Sequence, residues 1–242
     1  MHRRAMALGA RAERLAWVFQ AGYQSAVRAC FPEFHGPGLS CLAATTREGA
    51  EPCRLEEDGP GWRLYGEKTW IAAVDHVARL VVAVDTADGP VFAHVPRDAA
   101  GLTLENPRPA SFLAELSQGT ARFEGVALGP DALLLSPAHG SASMDMAAVA
   151  PAERGSVFRS AERYFVCTAL AARMDCEEAL NCVGWDGVGY LRAIVSRNLN
   201  SLRDALAQAL PAFEAERLPT LPAGLRASFE TDRRLLKMFV GV

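Results

Sequence analysis

Few residues of this chain have a type and spacing that could do chemistry. Its histidines (His2, His35, His76, His94, His139) and cysteines (Cys30, Cys41, Cys53, Cys167, Cys176, Cys182) are dispersed, with no CxxC pair and no HExxH. Metal ligands recur at short fixed spacings, so the sequence predicts no metal site and reduced, mostly buried thiols. No GxGxxG, Walker A loop or GxSxG elbow is present, so the nucleotide loops and the hydrolase nucleophile those motifs build have no counterpart here. Ser40 and Cys41 would act as nucleophiles only beside an oriented base, and the sequence places none. The run Asp175-Cys176-Glu177-Glu178 reads as an exposed helix face. Arg233, Arg234 and Lys237 lie at a helix C-terminus, where cations complement the macrodipole.

The scaffold holding these residues is bounded by composition. The chain has 242 residues, 25 Lys+Arg against 28 Asp+Glu and a formal net charge of −3. Without a clustered cationic excess there is no broad nucleic-acid footprint. Hydrophobic residues make up 50% and charged ones 22%, enough apolar surface for a core and too little charge for wholesale disorder. The longest apolar runs, such as LVVAV at 80–84, are strand-sized and far below the ~20 residues of a membrane span. The basic N-terminus MHRRAMALGARAERLAWVF lacks an apolar run before a cleavage site. A cytoplasmic protein with no membrane partner is expected.

Apolar residues from Ala5 to Phe31 recur at helical spacing, and the cluster Pro32 to Gly38 stops them. Residues 39–135 then read as short β runs between Gly, Pro and Asp turns: LSCLAAT, WRLYGEKTWIA, ARLVVAV, PVFAHVP, GLTLEN and TARFEGVAL. Such spacing suggests a sandwich or barrel, with hairpin chemistry at Asp58-Gly59-Pro60-Gly61 and Asp88-Gly89-Pro90. Residues 137–152 are small and weakly patterned, as in a linker. Helical stripes follow over 153–182 and 186–210, the second ended by Pro211, and a last helix spans 223–239. Strands and helices are segregated, so the predicted class is α+β. The expected division is a helical remnant (1–38), a β-domain (39–136), a linker (137–152) and a helical domain (153–242).

Within the β segment, GPGWRLYGEKTWIAAVDHVARLVVAVDT, then FAHVPRDAAGLTLE and TARFEGVALGPDALL, resemble in order and spacing the middle domain of the acyl-CoA dehydrogenase family. That family carries a dGxLxGxKxWIT hairpin, an fVpxdxxG segment and a closing vxFexVxvp strand. The resemblance implies an antiparallel β-barrel or sandwich flanked by reduced N-terminal and C-terminal helical regions, FAD as cofactor, and oxidation of a CH–CH bond in an acyl-CoA or related acyl thioester. It also implies a homo-oligomer, or a hetero-oligomer with a homologue.

Residue by residue, the resemblance makes Trp70 the aromatic that packs on the flavin, Thr45 the hydroxyl of the family's TEPxxGSD stretch, and Ile71 and Ala72 the strand backbone lining the ring. Glu162 in SAERYFVCTALAARM falls where some branches of the family place the catalytic base, and Arg163 matches the arginine after it. The departures are as specific. Ala72 replaces a threonine whose hydroxyl reaches the flavin. Glu48 or Glu51 stands where a small hydroxyl residue would approach the FAD pyrophosphate. The Tyr-Glu-Gly-Thr-like loop and the RxxFG motif are missing, and the chain is shorter than a full member. The cations near Arg233 would alternatively touch a coenzyme A phosphate. Three readings follow: a flavoprotein dehydrogenase, active or catalytically degenerate; a non-catalytic subunit completing a full-length homologue; and a flavin-free acyl-thioester binder.

Overall fold

The computed structural model describes residues 1–34, 36–87, 89–106, 112–134, 151–183 and 191–242. Two compact units emerge: one of Met1–Cys30, Ser111–Glu115 and Ser156–Val242, the other of Phe31–Ala110 and Leu116–Gly155.

The second unit is built on two four-stranded sheets. One orders β1 (Leu39–Ala43), β4 (Val77–Thr86), β5 (Gly89–Pro96) and β8 (Leu133–Leu134); the other orders β2 (Arg54–Asp58), β3 (Gly61–Ala72), β7 (Gln118–Leu128) and β6 (Leu102–Glu105). Apolar side chains from both sheets, among them Leu64, Val82, Phe92, Ala121 and Phe123, are buried, making the sandwich that alternating strands predict. Pairing is antiparallel except between β1 and β4, which run parallel. The hairpin β2–β3 closes through Gly59 and Pro60, with Gly59 at φ 60°, a left-handed position that glycine occupies without steric cost. The other expected hairpin includes Asp88, and most of the 137–152 segment also lies outside the described residues. β2 itself, sequence RLEED, has no apolar alternation to announce it. It is a charged edge strand, which protects the sheet from pairing with another chain.

The first unit is helical: α1 (His2–Ala10), α2 (Leu15–Cys30), α3 (Pro151–Met174) from Ser156 onward, α4 (Glu177–Asn181), α5 (Leu191–Ala212), α6 (Ala223–Thr231) and α7 (Arg233–Phe239). Along α3, residues 164–171 are all buried, so it is the central helix of the unit. Two expectations need correcting. Pro211 does not terminate α5: the helix runs through it and continues as a π-helical turn over Phe213–Arg217. Proline removes only its own N–H donor and crowds the carbonyl one turn back, and the wider turn that follows absorbs the change in hydrogen-bond spacing. The last helix is also broken in two. Asp232, buried at φ −104° and ψ 25°, leaves helical geometry and accepts a 2.8 Å hydrogen bond on Oδ1 from the Leu113 amide.

Candidate functional site

The sequence-derived positions of the β unit converge on one stretch of β3. There Thr69 pairs with Thr120 and Ile71 with Gly119, so Trp70 is left out of the ladder as a bulge. Its φ of 60° is a left-handed conformation that costs a bulky residue about 1–3 kcal/mol. The bulge lifts a half-buried indole out of the strand's alternation. Ile71 and Ala72 continue the strand fully buried, at 0% and 1% exposure, and the Ala72 amide donates to Cys41 Sγ at 3.3 Å.

The segment after β1 is stitched to β3 at intervals. The Thr69 amide donates to the Thr45 carbonyl at 2.8 Å and the Glu67 amide to the Glu51 carbonyl at 2.9 Å. Just beyond the second of them β3 passes hard against the segment: a Cβ on Gly66 would meet the Cys53 Cα at 2.7 Å, and Gly66 has φ +109°. Only glycine combines that approach with that dihedral. Thr45 is thus fixed beside Thr69 and Trp70, with its side chain on the exposed turn.

Charge in this stretch is distributed by pairs. Glu51 pairs with Arg54, whose Nε also contacts Glu56 at 3.1 Å and whose guanidinium lies 4.6 Å from the Tyr65 ring centroid. Arg47 contacts Glu67 at 3.6 Å. Glu51 therefore does not present an unbalanced negative charge. Glu48 is exposed on the turn before Gly49.

Sequence reasoning passed over Lys68, which is 3% exposed and donates from Nζ to Thr46 Oγ1 at 3.0 Å. Its signal was legible in the strand parity: positions 64, 66 and 68 of β3 point inward, and a lysine in that register is a buried cation.

In the helical unit, Glu162 is half-buried on α3 next to Ala161 and Tyr164, both at 0% exposure. Burial pushes its carboxyl up to about 7, against the neighbouring Arg163 guanidinium, which pulls it down. Five residues on, Cys167 is held up to about 12, mainly by burial, so it is an inert thiol. Cavities of about 420, 370 and 280 Å³ lie elsewhere in this unit, and Glu162 lines none of them. Arg233, Arg234 and Lys237 line the 370 Å³ cavity, with Arg233 paired to Glu214 at 3.1 Å. Among the described residues no cluster of side chains is arranged to hold a metal ion, and no helix is long and apolar enough to cross a membrane.

No protein-family model and no curated protein matches the sequence. Solved structures do match. An FAD-dependent dehydrogenase superposes with a TM-score of 0.66 at 13% identity, covering 98% of this chain and 79% of its own. Butyryl-CoA dehydrogenase from Megasphaera elsdenii gives 0.66 at 8% identity, over 98% and 76%. A prolyl acyl carrier protein oxidase gives 0.62 at 12% identity, over 98% and 82%. The chain has an acyl-CoA dehydrogenase-like α+β fold.

Proposed function

We propose that the chain is a flavoprotein oxidoreductase of acyl-CoA dehydrogenase type, acting on the CH–CH bond of an acyl thioester with Glu162 as the base. The observation that carries this reading is the Glu162 carboxyl on α3, raised to about 7 by burial. A thioester α-carbon is a very weak acid, and an ordinary carboxylate is too weak a base to ionise it. Raising the base toward neutrality narrows that gap while leaving about half of it ionised near pH 7.

The residues of the β unit suit FAD by their chemistry. The half-buried indole of Trp70 offers an aromatic face, Thr45 a hydroxyl beside it, and Arg54 balances Glu51. Thr45 and Trp70 would hold the cofactor, over Ile71 and Ala72. Bound FAD supplies a two-electron acceptor for the β hydride. Glu162 takes the α proton onto its carboxylate.

The test is reconstitution with FAD followed by anaerobic addition of acyl-CoA and acyl carrier protein thioesters. The expected result is a yellow protein bleached by at least one thioester, with Glu162→Gln slowing bleaching roughly 10²–10⁴-fold. Colourless wild-type protein, or a variant as fast as wild type, removes this reading. Ala72 favours a second one. With no hydroxyl at that position, the chain would serve as a non-catalytic subunit beside a homologue, or as a flavin-free thioester binder. Thermal stabilisation by coenzyme A esters but not by FAD would select the binder.

A further inference from the structure

Among the described residues Lys68 is a cation without a counter-charge. Its ammonium has three donors, and one is met, by Thr46 Oγ1 at 3.0 Å, while the side chain is 3% exposed. Two carboxylates of this stretch are committed elsewhere, Glu67 to Arg47 and Glu51 to Arg54, and Glu48 is exposed on its turn. Among the described residues no carboxylate pairs with Lys68. Burying an ammonium with one neutral partner is unfavourable unless an anion completes it. The segment it contacts through Thr46 carries exposed hydroxyls at Thr45 and Thr46 and is pinned to β3 on both sides, by the Thr45–Thr69 and Glu51–Glu67 hydrogen bonds. The amine is therefore held in place, with two donors left for a ligand.

We propose that Lys68 and Thr46 form the binding site for the pyrophosphate of the flavin nucleotide. Phosphate oxygens accept several charge-assisted hydrogen bonds at once, which suits an ammonium and a hydroxyl 3.0 Å apart. The assignment rests on the flavoprotein reading and deepens it: Lys68 supplies, from beneath the segment, an attraction that offsets the exposed Glu48 carboxylate.

The test compares FAD, riboflavin and inorganic pyrophosphate on the full chain by calorimetric titration. Wild type is expected to bind FAD, with pyrophosphate competing. Lys68→Met is expected to weaken FAD roughly ten- to hundredfold and to abolish pyrophosphate competition, leaving riboflavin affinity unchanged. Lys68→Arg should recover part of the loss. A folded Lys68→Met protein that binds FAD and pyrophosphate like wild type overturns the proposal. Wild-type protein that binds FAD no better than riboflavin also overturns it, while leaving the flavin reading standing. Pyrophosphate binding that depends on Lys68 without any flavin binding keeps the phosphate site and removes the flavin reading. If Lys68→Met fails to fold, Thr46→Val decides: a several-fold loss for FAD with none for riboflavin supports the site, and equal affinities overturn it.

Discussion

Helix α3 carries two charged side chains, one buried and one half-buried, that the structure treats in opposite ways. Near its start, Arg154 is 1% exposed at the side chain and forms a bidentate pair with Glu33, each nitrogen 2.9 Å from a carboxylate oxygen. Two turns later, Glu162 has no hydrogen-bond partner among the described residues and is driven toward its neutral form by burial. A buried charge with a fitted partner holds elements together. One without a partner shifts its proton affinity instead, and is then available for proton transfer. The difference separates structure from chemistry on a single helix.

Breaking the pair gives the largest expected effect. Arg154→Met leaves Glu33 without its cation and should cost about 3–5 kcal/mol in urea denaturation. The double variant Arg154→Met/Glu33→Gln should recover most of it, because the penalty lies in the orphaned charge. If the double variant is as unstable as the single one, Arg154 acts through packing and the contrast with Glu162 fails.

The opposite sign is expected at Glu162. Its folded carboxyl ionises near 7, against 4.5 for the ordinary group. Below pH 4.5 both states hold the proton and nothing is lost. Between pH 4.5 and 7 the unfolded chain ionises first, so the fold loses stability as pH rises. At pH 8 Glu162→Gln should therefore be more stable than wild type by on the order of 2–3 kcal/mol, with the gap closing below pH 5. Melting curves from pH 4 to 8 that run parallel for the two proteins would contradict the burial argument.

These two positions also mark how far the sequence could be read. Period-two alternation in WRLYGEKTWIA announced β3, and Gly59 the turn before it, because both rest on local rules. The bulge at Trp70 was not legible, since it depends on which β7 residues face β3. Pro211 misled because a proline in the last turn of a helix can be absorbed by a wider turn, a choice that packing makes. Glu162 was found through a resemblance, and its raised proton affinity comes from burial, which the helical spacing of its own segment does not state. Lys68 lay in plain view at an inward strand position, and was missed because attention went to the aromatic two residues on.

Asp232 stands between the two cases. It is buried, its carboxyl is raised by burial, lowered by the Leu113 hydrogen bond and raised again by Glu115. Asp232→Ala should cost about 1–3 kcal/mol, the penalty for leaving the Leu113 amide without an acceptor. Asp232→Asn keeps that acceptor and should cost less. Equal losses would mean that the charge, and not the hydrogen bond, sets the break between α6 and α7.

The smallest effect is expected where a pair is fully wetted. Arg63 Nε lies 2.8 Å from Asp58 Oδ2 across the β2–β3 hairpin, a single contact as short as either of the two between Arg154 and Glu33, but the side chains are 44% and 51% exposed. Water already solvates both charges, so bringing them together gains little beyond what it costs in side-chain freedom. Arg63→Ala should change stability by roughly 0.2–1 kcal/mol, part of that through its second hydrogen bond to the Gly125 carbonyl at 3.1 Å. The Asp58 share should vanish in 1 M salt, where the Debye length falls to about 3 Å, whereas the Arg154 penalty should persist. A loss at Arg63 as large and as insensitive to salt as the one at Arg154 would show that geometry, and not burial, sets the worth of an ion pair in this fold.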